Sequence, residues 1–361
     1  MIGTNTPLNN TLTKAIFAVF AVTLLIIAEL LLLFFERIHT VTPLPMEKNI
    51  GHTVQFLAFG DVNLGRTVGQ KILKISASYP FEKYDVKQDS ADIVFANLES
   101  QVSDQHGETG HPKYNLIFTA PPEAITALKM SGINLFSTAN NHAFDYGIAA
   151  LKETIDRLQQ ANIRFVGTSK ESANTFNPLI IEKNSIKFAI FSVTSFVNIT
   201  VNGWQRYIAT PDTAQLAKKI RMVRDSVDVV VMSYHGGIEY TDEPAKKVRD
   251  FADWCVNNGV DIFLGHHPHV PFGIEKKGKS FIVHSLGNFI FYQPQHYWTQ
   301  RSYGVKFLIE KNDTAATVML SQLYPVNVSM QTKRLTDSLE YSKLIRRTQQ
   351  LSNIDLSHYW N

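Results

Sequence analysis

Short apolar runs alternate with amphipathic segments along most of this chain, and this alternation constrains the fold more than any other feature. The apolar runs predict strands at 54–59, 92–96, 133–138, 227–232 and 260–264. The amphipathic segments predict helices at 122–130, 148–161, 211–224 and 244–257. Three of these helices begin at a proline, a residue whose fixed φ and missing N–H suit a first helical turn. Strands that alternate with helices indicate an α/β layered fold.

Two predicted hairpins interrupt the alternation. They join 178–182 to 187–193 and 272–275 to 280–283. Antiparallel hairpins beside parallel strands indicate mixed sheets. We expect residues 53–300 to form the main domain.

The C-terminal part, 301–361, is predicted to complete the same domain. It contains a strand pair at 304–309 and 316–323 and a polar helix at 336–351. At 361 residues the chain is long enough for one large core.

An apolar run near the N-terminus predicts a membrane-spanning helix at residues 15–35. A span needs about 20 apolar residues, and Glu29 is the only charged residue in this stretch. The run is longer than the core of a signal peptide, and no small-residue cleavage site follows it. We therefore expect a single-pass protein of the cell membrane.

The flanks of this helix give the expected topology. Residues 1–14 are expected to be cytoplasmic, and 36–52 to be a linker stiffened by prolines. The globular domain is then extracytoplasmic. Lys14 before the run and Arg37 after it leave the charge signal for this orientation nearly balanced.

Composition excludes several classes of protein. Hydrophobic residues make up 44% of the chain, which excludes a disordered protein. The net charge is only +3 and no run of basic residues is present, so we expect no nucleic-acid partner. The single cysteine, Cys255, excludes an intramolecular disulfide and a cysteine metal cluster.

Polar residues directly follow five of the apolar runs. Because ligands gather at the carboxyl ends of strands in α/β sheets, we expect these side chains to form one cluster. Carboxylate, amide and imidazole groups together suit Mn, Zn or Fe better than Ca or Mg. The pattern predicts one or two divalent ions, and two ions about 3.5–4 Å apart serve phosphoester hydrolysis in other proteins. The predicted cluster comprises Asp61, Glu99, Asn141, His142, His235, His266, His267 and His269.

Each of these motifs alone also has a structural interpretation. Asp61 is compatible with an Asx-turn, His142 with a capped helix N-terminus, and a single His235 with a structural histidine. Three histidines within 265–269, directly after a buried strand, are the most specific element. The order of all five motifs favours the metal site over the separate structural interpretations.

This order of motifs resembles the CapA (PgsA) family of capsule-synthesis proteins, which is associated with poly-γ-glutamate. The family in turn resembles calcineurin-like metallophosphoesterases. The resemblance implies a four-layer α/β/β/α sandwich with mixed sheets and a dinuclear metal site. The matching stretches are GDVNLGR at 60–66, ADIVFANLE at 91–99, FTAPPE at 118–123, ANNHAFDYG at 139–147, GHHPH at 265–269 and SLGNF at 285–289.

The resemblance also implies roles for individual residues. His142 would be the general acid, oriented by Asp145. Arg66, Asn140 and Lys113 are candidate substrate-binding residues, of which the two cations suit a carboxylate or a phosphate. Spacing leaves open whether His266 or His267 is a metal ligand. The implied ligands are Asp61, Glu99, Asn141, His235, His267 and His269.

Three positions depart from the family pattern. Asn63 lies where the first phosphoesterase motif usually has histidine, and Glu99 where the second usually has aspartate. Gly236 follows His235 where the family commonly has tryptophan. The missing imidazole at position 63 weakens the expectation of two tightly bound ions.

Three functions are compatible with these observations. The first, which the resemblance implies, is synthesis, export or processing of poly-γ-glutamate by a metal-dependent hydrolase or transferase. The second is a metal-dependent phosphodiesterase or phosphatase that acts on a cell-envelope substrate. The third is a non-catalytic accessory subunit that binds the nascent polymer or the subunits of a membrane-bound synthase.

Overall fold

The computed structural model describes residues 10–39, 52–313 and 315–361. The chain divides into two compact units, Met1–Gly51 and His52–Asn361. Residues 1–9 of the predicted cytoplasmic segment and 40–51 of the predicted linker lie outside the described residues.

The first unit contains one helix, α1 (Asn10–His39), which includes the stretch predicted to cross the membrane. Apolar side chains between Val19 and Leu31 are exposed. Among the residues that the structure describes, no helix has both the length and the apolar character required to cross a membrane. The predicted membrane-spanning helix is therefore not confirmed.

The second unit alternates strands and helices, as predicted. Its strands are β1 (His52–Val62), β2 (Ile93–Leu98), β3 (Gln101–Val102), β4 (Thr119–Ala120), β5 (Leu135–Ser137), β6 (Arg164–Val166), β7 (Leu179–Lys183), β8 (Ile186–Thr194), β9 (Val229–His235), β10 (Ile262–His266), β11 (Ile274–Lys277), β12 (Ser280–Val283), β13 (Asn288–Ile290), β14 (Arg301–Lys311), β15 (Ala316–Asn327) and β16 (Lys333–Arg334). Its helices are α2 (Arg66–Lys74), α3 (Ala124–Met130), α4 (Gly147–Gln160), α5 (Thr213–Arg224), α6 (Lys246–Asn257) and α7 (Ser338–Gln350).

Two mixed sheets organise this unit. One has the order β16-β15-β14-β1-β2-β5-β6, with β13 paired to β1, and the other has the order β11-β12-β10-β9-β8-β7. In the first sheet β1, β2, β5 and β6 are parallel, and β14 and β15 are antiparallel additions. In the second, β8, β9, β10 and β12 are parallel, and the edge strands β7 and β11 are antiparallel. The predicted mixed sheets are confirmed.

Alternation along β1 shows how the layers form, because successive side chains of a strand point to opposite faces of the sheet. Phe56 faces the second sheet, where its ring stacks on Phe188 at 6.2 Å between centroids. Leu57 faces the opposite side, in the apolar cluster that includes residues of α2 and α3. Helices α5 and α6 cover the outer face of the second sheet. The layers follow the order helix, sheet, sheet, helix that the resemblance implied.

The carboxyl ends of the parallel strands of both sheets meet at one edge, because a connecting segment lies close to both. A Cβ atom on Gly60, near the end of β1, would lie 1.9 Å from the carbonyl oxygen of Gly287. A Cβ atom on Gly265, in β10, would lie 1.9 Å from the carbonyl oxygen of His284. Only glycine permits these two approaches. They hold the strand ends of the two sheets together at the place where the predicted site residues lie.

Candidate metal centre

Asp61, near the end of β1, lies at the centre of the cluster and is fully buried. Its Oδ1 accepts a 2.9 Å hydrogen bond from the Asn97 amide and lies 3.2 Å from His266 Nδ1. Its Oδ2 accepts from the backbone N–H of His267 at 3.3 Å and lies 3.3 Å from His269 Nδ1. Burial alone would raise the pKa of Asp61, but the hydrogen bonds and charges of the two histidines hold it well below its usual range.

Glu99 directly follows the end of β2 and is also fully buried. Its Oε1 has no hydrogen-bond partner among the described residues and lies 3.6 Å from His269 Nε2. Burial raises the pKa of Glu99 well above its usual range, and the charge of Asp61 acts in the same direction. One ligand atom from each of Asp61, Glu99 and His269 lies within 4.8 Å of the other two. We call these three residues the carboxylate half of the centre.

Asn288 determines which nitrogen of His269 is free to bind an ion. The amide nitrogen of Asn288 donates to Gln293 Oε1 at 3.0 Å and to the carbonyl of Thr299 at 3.1 Å. Its amide oxygen therefore faces His269 Nδ1, which lies 2.9 Å away and must act as the donor. The lone pair is left on Nε2, the nitrogen that faces Glu99. A second residue that fixes a histidine in this way is typical of metal sites.

Asn141 and His235 form the other side of the centre. The amide nitrogen of Asn141 donates to Asn198 Oδ1 at 3.2 Å, which leaves the amide oxygen 2.8 Å from His235 Nε2. The rings of His235 and His267 lie 5.0 Å apart between centroids. Burial lowers the pKa of His235 well below its usual range and that of His267 to about 4, so both imidazoles are neutral at pH 7. We call Asn141, His235 and His267 the amide half.

The structure distinguishes the two histidines that spacing left open. His266 is the last residue of β10, pairs in register with His235, and places Nδ1 beside Asp61. His267 has a φ of 94°, an unusual value for a residue with a side chain. One of its nitrogens lies within 4.8 Å of a ligand atom of His269. The structure thus places His267 beside His269 and His266 beside Asp61, and which of the two binds an ion stays a prediction.

His142 and Asp145 form a buried pair beside the carboxylate half. His142 Nδ1 lies 2.7 Å from Asp145 Oδ2, which also accepts from the backbone N–H of Phe118 at 3.0 Å. Nδ1 is therefore the donor, and Nε2 lies 3.8 Å from Glu99 Oε1. Burial lowers the pKa of His142, and the charge of Asp145 opposes this shift. Burial in turn raises the pKa of Asp145. The structure thus brings the predicted acid and its predicted partner into contact.

Asn63 does not replace the histidine that is usual at its position. Its side chain is buried, and Oδ1 accepts a 2.7 Å hydrogen bond from the backbone N–H of Gly65. Its own backbone N–H donates to the carbonyl of Ile290 at 2.8 Å. Asn63 therefore shapes the turn into α2 through its amide oxygen.

Arg66 is the first residue of α2 and lines the wall that leads to His142. Its guanidinium lies 4.5 Å from the centroid of the Phe118 ring, and the Phe118 and His142 rings are 3.9 Å apart. One of its nitrogens donates to the carbonyl of Asn115, whereas Nε is buried without a partner among the described residues. Burial lowers the pKa of Arg66, and the charges of Asp145 and Glu99 oppose this shift.

The other two candidate substrate-binding residues lie in different environments. Asn140 is fully buried, and its amide donates to the carbonyl of Leu98 at 2.7 Å and to Asn97 Oδ1 at 3.2 Å. Its own Oδ1 accepts from the backbone N–H of His142 at 3.1 Å. Asn140 thus orders the site, and its contact with a substrate stays a prediction. Lys113 is exposed on the segment that leads to Phe118, and its role also stays a prediction.

Sequence reasoning did not identify Glu239 as a site residue. One oxygen of Glu239 lies within 4.8 Å of a nitrogen of His267 and of a nitrogen of His269. Glu239 follows His235 by four residues in the loop after β9. The sequence signal for Glu239 was its position in the loop that follows a predicted strand. Gly236, Gly237 and Ile238 separate it from His235, so it does not directly follow the strand.

Three asparagines that orient other site residues were also not predicted as site residues. Asn97 donates to Asp61 and lies 3.2 Å from His235 Nδ1, so it links the two halves. Asn198 accepts from Asn141 and lies 3.0 Å from His142 Nδ1. Asn288 orients His269, as described above.

The residues present fit a divalent metal. Two carboxylates buried side by side are both ionised only when a cation compensates their charge. Neutral imidazoles, an amide oxygen and carboxylates are the donors that Mn, Zn and Fe accept. Glu99 Oε1 and His267 Nδ1 are buried without a hydrogen-bond partner among the described residues. Bound cations would satisfy these two atoms.

Comparison with known proteins agrees with the resemblance seen in the sequence. Residues 55–293 match the family model described as "Bacterial capsule synthesis protein PGA_cap". The capsule biosynthesis protein CapA of Bacillus anthracis is 28% identical over 344 residues, which cover 91% of this chain and 80% of that protein. The PGA biosynthesis protein CapA of Bacillus subtilis (strain 168) is 27% identical over 303 residues, 81% of this chain and 77% of that protein.

Among solved structures, a calcineurin-like phosphoesterase of Bacillus subtilis is similar with a TM-score of 0.45 and 14% identity, over 83% of this chain and 97% of that one. The assignment does not depend on this structural similarity. It rests on the family model, which matches well over half of the chain. The protein belongs to the PGA_cap family of bacterial capsule synthesis proteins.

Proposed function

We propose that this protein is a metal-dependent hydrolase or transferase that acts in the synthesis, export or processing of poly-γ-glutamate. The observation that carries the proposal is the buried cluster of carboxylates and neutral imidazoles beside the His142–Asp145 pair. Family membership supports a role in capsule formation, and one relative is named as a PGA biosynthesis protein.

The residues of the cluster would have different roles in the reaction. A divalent ion held by the carboxylate and amide halves would polarise the reacting carbonyl or phosphoryl group and lower the pKa of water. Asp145 holds Nδ1 of His142, so Nε2 is the atom that exchanges a proton with the substrate. Because His142 Nε2 lies 3.8 Å from Glu99 Oε1, this exchange takes place next to the carboxylate half.

Arg66 supports an anionic substrate. Its guanidinium packs on Phe118, on the same wall as the His142 ring, and its Nε is a buried donor without a partner among the described residues. Poly-γ-glutamate carries a free carboxylate on each residue, which a guanidinium binds well. A phosphate group would satisfy the same donor, so Arg66 alone does not separate the two substrate classes.

The proposed location is the outer face of the cell membrane, with the helix at 15–35 as anchor. The exposed apolar side chains between Val19 and Leu31 support an anchor. Membrane fractionation, together with a reporter fused after Asn361, tests this placement. A reporter that is active only in the cytoplasm would contradict it.

Polymer cleavage by the full-length protein tests the proposed activity. The protein is loaded in turn with Mn, Zn and Fe(II) and incubated with poly-γ-glutamate, and polymer length is followed by size-exclusion chromatography. We expect metal-dependent shortening that is lost in His142→Ala. The matched control is His358→Ala, because His358 is exposed near the C-terminus. Unchanged polymer with all three metals, or full activity in His142→Ala, contradicts the proposal.

A parallel assay with a chromogenic phosphodiester tests the alternative that the protein is a phosphoesterase. Turnover of that compound without any change in the polymer would favour a phosphodiesterase that acts on an envelope substrate.

A second candidate function is a non-catalytic accessory subunit of a membrane polymer synthase. The observation that favours it is Asn63, whose amide oxygen is bound to the backbone of its own turn and adds no ligand to the carboxylate half. Capsule formation in cells discriminates the two functions. If His142→Ala and His267→Ala leave capsule production intact, the accessory function replaces the catalytic one.

A further inference from the structure

Glu239 lies in the loop after β9 and is half-buried. One oxygen of its carboxylate and one nitrogen each of His267 and His269 all lie within 4.8 Å of one another. Carboxylate oxygen combined with imidazole nitrogen is a donor set that Mn, Zn and Fe accept. His269 also belongs to the carboxylate half, so the two groups of three residues share a ligand.

The loop that carries Glu239 is held against the histidine loop. The backbone N–H of Tyr240 donates to the carbonyl of Pro268 at 3.0 Å. The Tyr240 ring stacks on His296 with 4.1 Å between centroids, and its hydroxyl accepts from the Gln293 amide at 3.2 Å. Tyr240 itself has a φ of 61°, an uncommon conformation that the surrounding contacts maintain. These contacts place the carboxylate at the histidines.

The charge of Glu239 acts on the Arg66 guanidinium without a direct ion pair between the two side chains. In the described part of the chain no lysine or arginine forms an ion pair with Glu239, whereas its neighbour Glu243 pairs with Arg249 at 3.8 Å. The groups close to Glu239 are the two histidines and the Tyr240 side chain, and Nδ1 of His267 is buried without a hydrogen bond among the described residues. A cation bound between Glu239 and the histidines would satisfy both.

The turn after β1 supplies few donors to the carboxylate half. Its residue Asn63 uses Oδ1 to bind the backbone of Gly65, so this turn contributes only Asp61 to the carboxylate half. Asp61, Glu99 and His269 supply three ligands, and a zinc ion takes its fourth from water or from a further protein side chain. Glu239 lies close to one of these three residues, His269, and can supply a further carboxylate.

We infer that Glu239 is a metal ligand that binds a divalent cation together with His267 and His269 and supplies the donor that the turn after β1 lacks. The inference rests on the metal site of the proposed function but not on the choice of polymer. Because Glu239 is half-buried and the other ligands are fully buried, it lies on the solvent side of the centre.

Metal affinity of the full-length protein tests the inference. The variant Glu239→Gln keeps the size of the side chain and removes its charge. We expect it to bind Mn and Zn at least about tenfold more weakly than the wild type in competition with a chromogenic chelator. Loss of a residue that only orients a metal ligand already lowers metal affinity by about tenfold or more, and loss of a ligand should cost at least as much. The absorption spectrum of the Co-loaded protein should also change, because that spectrum reports the ligand set directly.

The matched control is Glu243→Gln, which removes a carboxylate from an exposed position in the same loop. It should bind metal as the wild type does. Thermal unfolding without metal should be the same in all three proteins, which excludes a folding defect as the cause of weaker binding.

Equal affinity and an equal Co spectrum in Glu239→Gln and the wild type would overturn the inference. So would equal losses in the two loop variants. If Glu239→Gln alone loses metal and the wild type leaves poly-γ-glutamate unchanged, the assignment of Glu239 holds while the proposed substrate fails.

Discussion

The two halves of the candidate metal centre differ in charge although both are built from residues at strand ends and in the loops that follow them. The carboxylate half contains Asp61 and Glu99, which together carry two negative charges when both are ionised. The amide half contains an amide oxygen and two neutral imidazoles. Because a cation gains more from buried carboxylates than from neutral donors, the two positions are not equivalent. We expect the first ion in the carboxylate half and a second, weaker ion in the amide half.

The halves also differ in how their ligands are supplied. In the amide half, His235 is the last residue of β9 and Asn141 follows β5 by four residues, and Asn97 and Asn198 orient them. The carboxylate half lacks a donor from the turn after β1 and has the carboxylate of Glu239 close to its His269. From this difference we expect metal affinity to depend on charge in the carboxylate half and on preorganised geometry in the amide half.

Asp61→Asn should have the largest effect. The substitution keeps the shape of a side chain whose two oxygens face both halves, but removes its charge. We expect metal affinity to fall by more than about 100-fold. Substitution of a residue that only hydrogen-bonds to a metal ligand already lowers metal affinity by about 10- to 100-fold. Titration with Mn and Zn measures this, and Asp225→Asn on the exposed surface is the control. If Asp61→Asn binds metal as tightly as the wild type, the tighter ion does not depend on the charge of the carboxylate half.

His235→Asn should affect only the amide half. We expect the tight ion to remain and the weaker ion to be lost, because His235 contributes no charge to the carboxylate half. Calorimetric titration distinguishes a lost second site from a general loss of affinity. A variant that loses both ions equally would show that the halves bind as one unit.

Acidification should destabilise the metal-free protein through the buried imidazoles. Burial lowers the pKa of His267 from 6.5 to about 4, so the unfolded state binds a proton that the folded state rejects. The free energy of unfolding is therefore unaffected by His267 above pH 6.5 and falls as the pH drops from 6.5 towards 4. One pKa unit corresponds to about 1.4 kcal/mol, so the loss from His267 at pH 5 is about 2 kcal/mol.

Urea unfolding of the metal-free protein at pH 7 and pH 5 measures this loss. His267→Gln should show a smaller difference between the two pH values than the wild type. The same difference in both proteins would mean that His267 is not the residue responsible.

Substitution of Asn288 should have the smallest effect on metal affinity, because Asn288 acts only by orienting His269. Asn288→Leu removes the acceptor for His269 Nδ1, and we expect about tenfold weaker binding in the carboxylate half. Asn288→Asp keeps an acceptor and should bind more tightly than Asn288→Leu. Equal affinities in the two variants would show that the acceptor plays no part in metal binding.

The strand ends could be predicted because they combine two local signals, an apolar run and the polar residues directly after it. Asp61, Glu99, Asn141 and His235 were found in this way, and parallel pairing brings them together. The helix α2 was not predicted, because its sequence is short and largely polar and contains Gly69.

What the sequence could not indicate depends on contacts between distant segments. Glu239 approaches the histidines because Tyr240 binds Pro268, a contact between two irregular loops. The different positions of His266 and His267 depend on the backbone, since His267 leaves the strand with a positive φ while His266 still pairs with β9. Asn63 looked like a missing ligand, and only its hydrogen bond to Gly65 shows that it shapes a turn.

The central claim is that the cluster around Asp61 is a metal centre, and counting bound ions tests it most directly. Full-length protein is purified without chelator, incubated with Mn, Zn and Fe(II), desalted, and its metal content measured by mass spectrometry. We predict at least one divalent ion per wild-type chain and its loss in Asp61→Asn. A wild-type protein that carries no more metal than Asp61→Asn would contradict the account.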